Sequence, residues 1–394
     1  MMPATAPKSF KLTYSVFAFC LLVANLRPAL TSVGPLVETI RSSLGLSDAA
    51  MGLLPTLPLL IFAGLSLFAH FGEAFGIEKT LAWCLALVVA GIGLRSQGSI
   101  AALFGGTAIF SAGIAVANVL VPSLIKRDFP DRVGGMTTAY VMVMTLTGAF
   151  ATGLAVPLSA HLVGGWRASL AIWAVFAAVT LLCWLPETRK THKAIAVRQP
   201  DTGLDIKPVW RSALAWQVTL FMGLQFLIYF VTIGWMPPYL TAFGEPAAEA
   251  GWLLTLYQLA GFIVGVVAPP LLRRGPDQRF LAAAASLVTA FCILGLLAAP
   301  RLAALWLVVC GASFGITFIL AFAFIGLRAA DYRRAASLSA MAQASGYLIA
   351  AIGPAAFGWL HDFTAGWTVP MLSFMTIAII QAIAGFGAGR QGQI

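Results

Sequence analysis

Arg27 stands inside an apolar run that extends from Leu12 to Pro35, sixteen residues past Lys11 and fourteen before Arg41. On a continuous helix the two flanking charges would lie about 45 Å apart, with Arg27 near the middle. A guanidinium at the centre of a bilayer costs several kcal/mol unless it faces water or a partner, so an intramembrane charge is a functional candidate by default. The competing reading is structural: Pro28 frees the carbonyl of Ala24, and the guanidinium could bond it. No carboxylate lies at comparable depth. Glu38 is nearest along the chain, eleven residues on, or about 16 Å. An uncompensated positive charge suits an anionic or electron-rich, polar small molecule better than a cation, and it argues against a buried Asp or Glu as proton carrier.

Helical spacing sorts the other polar residues. Thr31 is four past Arg27 and shares its face, whereas Asn25, two before it, points towards a neighbouring helix. Gln225, Tyr229 and Thr232 follow i, i+4, i+7 in an otherwise apolar run, and Ser339, Gln343 and Tyr347 repeat the arrangement. Asn118, Tyr140 with Thr147, and Gln258 beside Tyr257 add single polar groups. Such residues either line a cavity or hold helices together by hydrogen bonds. The expected substrate site is therefore Arg27, Thr31, Asn118, Tyr140, Gln225, Tyr229, Gln258, Gln343 and Tyr347. Glu38 and His161 are the candidates for proton coupling. The four histidines, His70, His161, His192 and His361, fall at run ends or in loops, with no paired carboxylates or metal-ligand spacing. Neither catalysis, nor a metal, nor a cofactor is expected. Cys20, Cys84, Cys183, Cys292 and Cys310 all lie in apolar runs and read as small packing residues.

The elements that must position these groups follow from composition. The 394 residues are 60% hydrophobic and 10% charged, against about a quarter charged in soluble domains. Mean hydropathy is +0.91. Apolar windows long enough to span fall at about 12–36, 50–71, 79–95, 99–125, 136–160, 167–185, 212–240, 250–272, 280–299, 302–327, 336–360 and 367–388. These twelve leave no room for a large soluble domain. The +10 net charge is a matter of orientation rather than of nucleic-acid binding. Of 24 Lys and Arg, nineteen fall in alternate loops and tails, four (Arg41, Arg95, Arg167, Arg301) in the others, and Arg27 in neither. Both termini are expected in the cytoplasm, with an uncleaved first helix. Glu187 to Arg211 is the longest polar stretch, dividing the chain into a bundle over 1–186, a linker over 187–211 and a second bundle over 212–394. The halves echo each other at an offset of about 200: Asp48-Ala49 with Glu249-Ala250, and Arg127, Asp128 and Arg132 with Arg328, Asp331 and Arg333. Parallel repeats of this kind place a site between the halves, near the midplane.

Several strings resemble the cyanate porter family of the major facilitator superfamily: Asn25-Leu-Arg-Pro-Ala-Leu-Thr-Ser-Val-Gly-Pro35, Asn118-Val-Leu-Val-Pro-Ser-Leu-Ile-Lys-Arg-Asp-Phe-Pro130, Leu214-Ala-Trp-Gln-Val-Thr-Leu220 and Gly234-Trp-Met-Pro237. Phe324-Ile-Gly-Leu-Arg328, Met341-Ala-Gln-Ala-Ser-Gly-Tyr347 and His361-Asp362 are similar to its 2-nitroimidazole transporter branch. The resemblance implies an all-α membrane protein of twelve helices in two six-helix bundles that rock about one central site. It matches Arg27 to the family's L-R-P arginine and Asn118 to the Asn or Gln before the proline of the fourth helix. One stretch departs from it. His70-Phe-Gly-Glu-Ala-Phe-Gly-Ile-Glu-Lys79 lacks the superfamily's basic pair, which puts a charge lock there in doubt.

The expected function is secondary transport of a small anionic or polar nitrogen-containing solute, cyanate-like or 2-nitroimidazole-like, across a bacterial inner membrane by a monomer, with protons as possible co-substrate. Two alternatives stand beside it: a drug/proton antiporter for lipophilic compounds, and a non-transporting membrane receptor. Direction and coupling ion are not written in the residues.

Overall fold

A backbone in lipid must satisfy its own N–H and C=O groups, so apolar runs of this length resolve into helices. The computed structural model describes residues 8–65, 76–189, 206–267, 277–330 and 332–394. Among these residues there is no strand, and twelve helical segments are long and apolar enough to cross a membrane. They are Tyr14–Leu44 (span 1), Asp48–Leu65 (span 2), Ile77–Arg95 (span 3), Ile100–Ile125 (span 4), Gly135–His161 (span 5), Trp166–Arg189 (span 6), Ala213–Ala242 (span 7), Ala247–Val267 (span 8), Arg279–Ala298 (span 9), Pro300–Arg328 (span 10), Ser337–Thr364 (span 11) and Thr368–Ala388 (span 12). Large apolar side chains such as Trp83, Leu182, Phe280 and Ile383 point outward, as a lipid-facing rim requires. Of the expected linker, residues 190–205 lie outside the described residues, as do His70, His192, the Arg273-Arg274 pair and Asp331.

Local chemistry fixes the ends. Ser99 and Ser212 accept hydrogen bonds from the amides of Ala102 and Ala215, capping the helices that open spans 4 and 7. Gly45, with φ of 65°, ends the helix Val37–Leu44 in the left-handed conformation that favours glycine.

Span 1 departs from the continuous helix expected of it. One helix, Lys8–Ala24, stops and another, Pro28–Thr31, begins, with Asn25, Leu26 and Arg27 in a turn between them. Pro28 lacks an N–H and disfavours helical geometry in the residue before it, and Arg27 adopts φ −120°. The 45 Å length therefore does not hold, although Arg27 remains between the two arms of the span.

Two apolar clusters underlie the halves. One runs from Ala18 to Trp184 through spans 1–6, and the other centres on spans 7–12 while drawing in Val33, Leu36, Met51 and Leu54. Between halves, span 2 packs along span 11 and span 5 along span 8. Thr56 Oγ1 donates to the Ala351 carbonyl (3.0 Å), Thr255 Oγ1 to the Ala149 carbonyl (2.8 Å) and Gln258 Nε2 to Thr152 Oγ1 (3.1 Å).

The repeat is deeper than the loop echoes suggested. Arg127, past the end of span 4, pairs with Glu78 at the start of span 3. Arg328, ending span 10, donates to Gln278 Oε1 just before span 9, and to the carbonyls of Ala388 and Gly389 at 2.8 and 2.9 Å. Glu78 and Gln278 are themselves 200 residues apart. Arg328 is thus a buried tie as well as a basic residue on the expected inner face.

Candidate central site between the halves

Arg27 is carried into the centre by the break in span 1 and by Gly148 of span 5. A Cβ on Gly148 would press on Arg27 Cβ at 3.0 Å and touch Thr31 Oγ1, so glycine lets the two spans meet closely without displacing Arg27. Thr31 Oγ1 donates to the Gly148 carbonyl at 2.8 Å and locks the short helix Pro28–Thr31 against span 5. The side chain then crosses to the other half: Arg27 Cζ lies 5.2 Å from the centroid of the Tyr229 ring, a cation–π distance. Tyr229 stacks on Phe314 (5.3 Å between centroids), and Tyr347 stacks on Phe226 (4.8 Å, 8° between planes) while meeting Phe62 edge-on. Tyr140 donates to Asn118 Oδ1 at 3.1 Å, and Gln343 Nε2 reaches Ser339 Oγ at 2.9 Å one turn from Tyr347. Arg27, Asn118, Tyr140, Tyr229, Gln343 and Tyr347 are all half-buried rather than sealed. No carboxylate pairs with Arg27 among the described residues.

The other expected residues lie elsewhere. Gln225 accepts from Gln381 Nε2 (2.6 Å) and donates to the Phe314 carbonyl (3.3 Å), so its amide is occupied inside the second half and does not join the group. The stripe that it shares with Tyr229 is real, but a stripe cannot say which neighbour each member meets. Gln258 belongs to the contact between spans 5 and 8, and Thr31 is held by Gly148. Asn25 does face a neighbour, donating to Thr180 Oγ1 of span 6 at 2.8 Å. Glu38 is exposed and pairs with Arg41 at 2.7 Å, while His161 is exposed at the end of span 5, so neither sits within the bundle. The five cysteines are free, three buried and two half-buried.

The aromatic walls Phe62, Phe226 and Phe314 were not anticipated. Phe226 could have been, because it lies three residues before Tyr229 on the same face. Arg95 requires a correction. Counted as a residue of an exposed loop, it is fully buried at the end of span 3, where its Nη1 donates to the Ala29 carbonyl at 2.7 Å and its guanidinium lies 4.8 Å from the Phe110 ring.

On the side where the short turn joins spans 1 and 2 the halves are fastened by charge. Asp362, at the end of span 11, accepts from the amides of Asp48 (3.2 Å) and Ala49 (2.7 Å), capping span 2 from the opposite half. His361 Nδ1 meets Asp48 Oδ2 at 3.0 Å, and Arg41 Nε lies 3.5 Å from Asp48 Oδ1. Atoms of Asp48, His361 and Asp362 come within 4.8 Å of one another, a spacing that could hold a cation. With Asp362 engaged by backbone amides and Arg41 beside Asp48, the group is arranged as a latch.

Twelve spans in echoing halves, a half-buried arginine between them and a latch joining the halves on the turn side are the features of a polytopic carrier. The Major Facilitator Superfamily model matches residues 17–354. The chain is 42% identical to a 2-nitroimidazole transporter of Escherichia coli (strain K12) over 95% of each chain. It is 30% identical to the cyanate transport protein CynX of the same organism, over 88% of this chain and 90% of that one. Among solved structures, a bacterial homologue of the lysosomal transporter Spinster superposes with a TM-score of 0.80 at 16% identity, covering 98% of both chains. The chain belongs to the Major Facilitator Superfamily, beside the 2-nitroimidazole branch, and its relatives are transporters, not enzymes.

Proposed function

We propose that the protein carries a small anionic or polar nitrogen-containing solute, of the size and polarity of cyanate or a nitroimidazole, by alternating access around Arg27. The observation that carries this reading is a half-buried guanidinium between the halves with aromatic walls and no described carboxylate partner. Such a charge favours an anion or an electron-rich head group, while Tyr229, Tyr347 and Phe226 offer flat surfaces for a planar one. Asn118, Tyr140 and Gln343 supply hydrogen bonds that fix orientation. The latch of Asp48, His361 and Asp362 fastens one side, and the basic loops mark the other as cytoplasmic, so the fastened side is the outer one. Both termini then lie in the cytoplasm, and the halves 1–186 and 212–394 rock as units within a monomer in the bacterial inner membrane.

The test is flux into proteoliposomes of labelled cyanate and of 2-nitroimidazole. Arg27→Ala is expected to abolish transport of at least one of them while leaving the protein folded and monodisperse. Unchanged flux of both would remove Arg27 from the mechanism.

A further inference from the structure

We infer that Arg95 forms a second binding site, on the latch side of Arg27, for a planar group bearing two acceptor oxygens, such as a nitrite or a carboxylate. The identity of this ligand class rests on the reading of Arg27 as an anion anchor; the site itself does not.

Arg95 is 0% exposed, and of its guanidinium only Nη1 is engaged. Nε and Nη2 are buried with no hydrogen-bond partner. A buried charged donor left without a partner is costly, so the pair needs an acceptor when the protein is in use. Which two nitrogens are free matters. Nε and Nη2 lie on one edge of the planar guanidinium and point the same way, making a fork that fits two oxygens of one planar group.

Arg95 stands beside a chamber, with Nε and Nη2 covered in this state, so a ligand reaches them once the neighbouring side chains part. Arg95 lines the chamber together with Ala29, Pro55, Phe110, Phe230 and Trp235. Both halves wall it, since Phe230 and Trp235 belong to span 7 and the others to spans 1–4. Thr107 also lines it, with its hydroxyl already donating to the Leu103 carbonyl at 2.7 Å. Among the described residues Arg95 is the one cationic group on a mostly apolar wall, the composition expected of a site where few polar groups set specificity. Its position is built in. Gly91 and Gly106 let spans 3 and 4 touch backbone to backbone, where added Cβ atoms would collide with Phe110, with Gly91 and with Arg95 itself. That contact seats the guanidinium over Phe110 and against the carbonyl of Ala29, two residues from Arg27.

Trp235 provides the readout, because it lines the same chamber. Nitrite is titrated into the purified full-length protein, and the tryptophan quenching lost in Trp235→Phe is taken as the chamber signal. Wild type is expected to show a saturable chamber signal. Arg95→Met should raise its half-saturation at least about tenfold, the effect of losing charge-assisted bonds. Arg27→Gln should leave it in place while reducing flux. Arg95→Lys keeps the charge without the fork, so it should lose the preference for nitrite over chloride; this variant carries the test if Arg95→Met does not fold. A chamber signal that survives Arg95→Met, or a nitrite preference that survives Arg95→Lys, would overturn the proposal. Loss of flux in Arg27→Gln with no chamber signal in wild type would leave the central site standing and remove only this one.

Discussion

Arg27 and Gln225 look alike in the sequence, each a polar residue in an apolar run, yet they stand in opposite circumstances. Arg27 has aromatic faces and a half-open surround; Gln225 has both ends of its amide engaged by Gln381 and Phe314. Their variants should separate accordingly. Gln225→Ala leaves the buried Gln381 without that acceptor and is expected to cost about 1–3 kcal/mol, seen as a lower melting temperature with KM unchanged. Arg27→Lys keeps the charge but not the planar donor set, and is expected to raise KM at least tenfold at little cost in melting temperature. Arg27 was legible because a charge in a span is rare. Gln225 falls outside the group around Arg27 because helical spacing gives a face and not the neighbour opposite. Arg95 was missed for a third reason: at the end of a span, a buried arginine and a loop arginine have the same sequence context.

Among the elements, the twelve spans were readable from hydropathy, most ends to within a few residues and the end of span 1 only to within eight, whereas the break in span 1 was not. Pro28 was visible, but a proline inside a membrane helix more often kinks than interrupts, and the turn at Asn25 to Arg27 depends on Thr31 and Gly148 holding the second arm. Span 2 shows the same dependence on a neighbour, since its first amides are satisfied by Asp362. Removing that cap in Asp362→Ala should weaken closure on the latch side by about 1 kcal/mol, roughly a fivefold shift in the closed population. Distances between spin labels at Ser43 and Thr364 would report it, as a larger fraction at long separation. The contact between spans 3 and 4 is less forgiving. Gly106→Val would drive methyl groups into the backbone of Gly91 and Arg95, and a loss of about 1–3 kcal/mol, read as a fall in melting temperature, is expected.

Across the whole molecule, the offset of about 200 residues relates Arg127 with Glu78 to Arg328 with Gln278, a correspondence that two loop echoes in the sequence only hinted at. The same offset carries His361 and Asp48 onto His161 and Glu249, yet only the first pair meets in the described state. Asp48 waits for a partner 314 residues further along the chain. At about 5–20 residues per second, synthesis takes on the order of 15 to 60 s to produce it. During that interval the newly made first half sits in the bilayer with the amides of Asp48 and Ala49 lacking their Asp362 acceptor and with the close-packing faces around Gly52 and Gly153, later covered by spans 11 and 8, turned towards lipid. A chain released early, before residue 362, is expected to be cleared by membrane proteases much faster than the complete protein, and pulse-chase decay of fragment 1–189 with and without separately expressed 206–394 would measure how far the second half acts as a chaperone for the first.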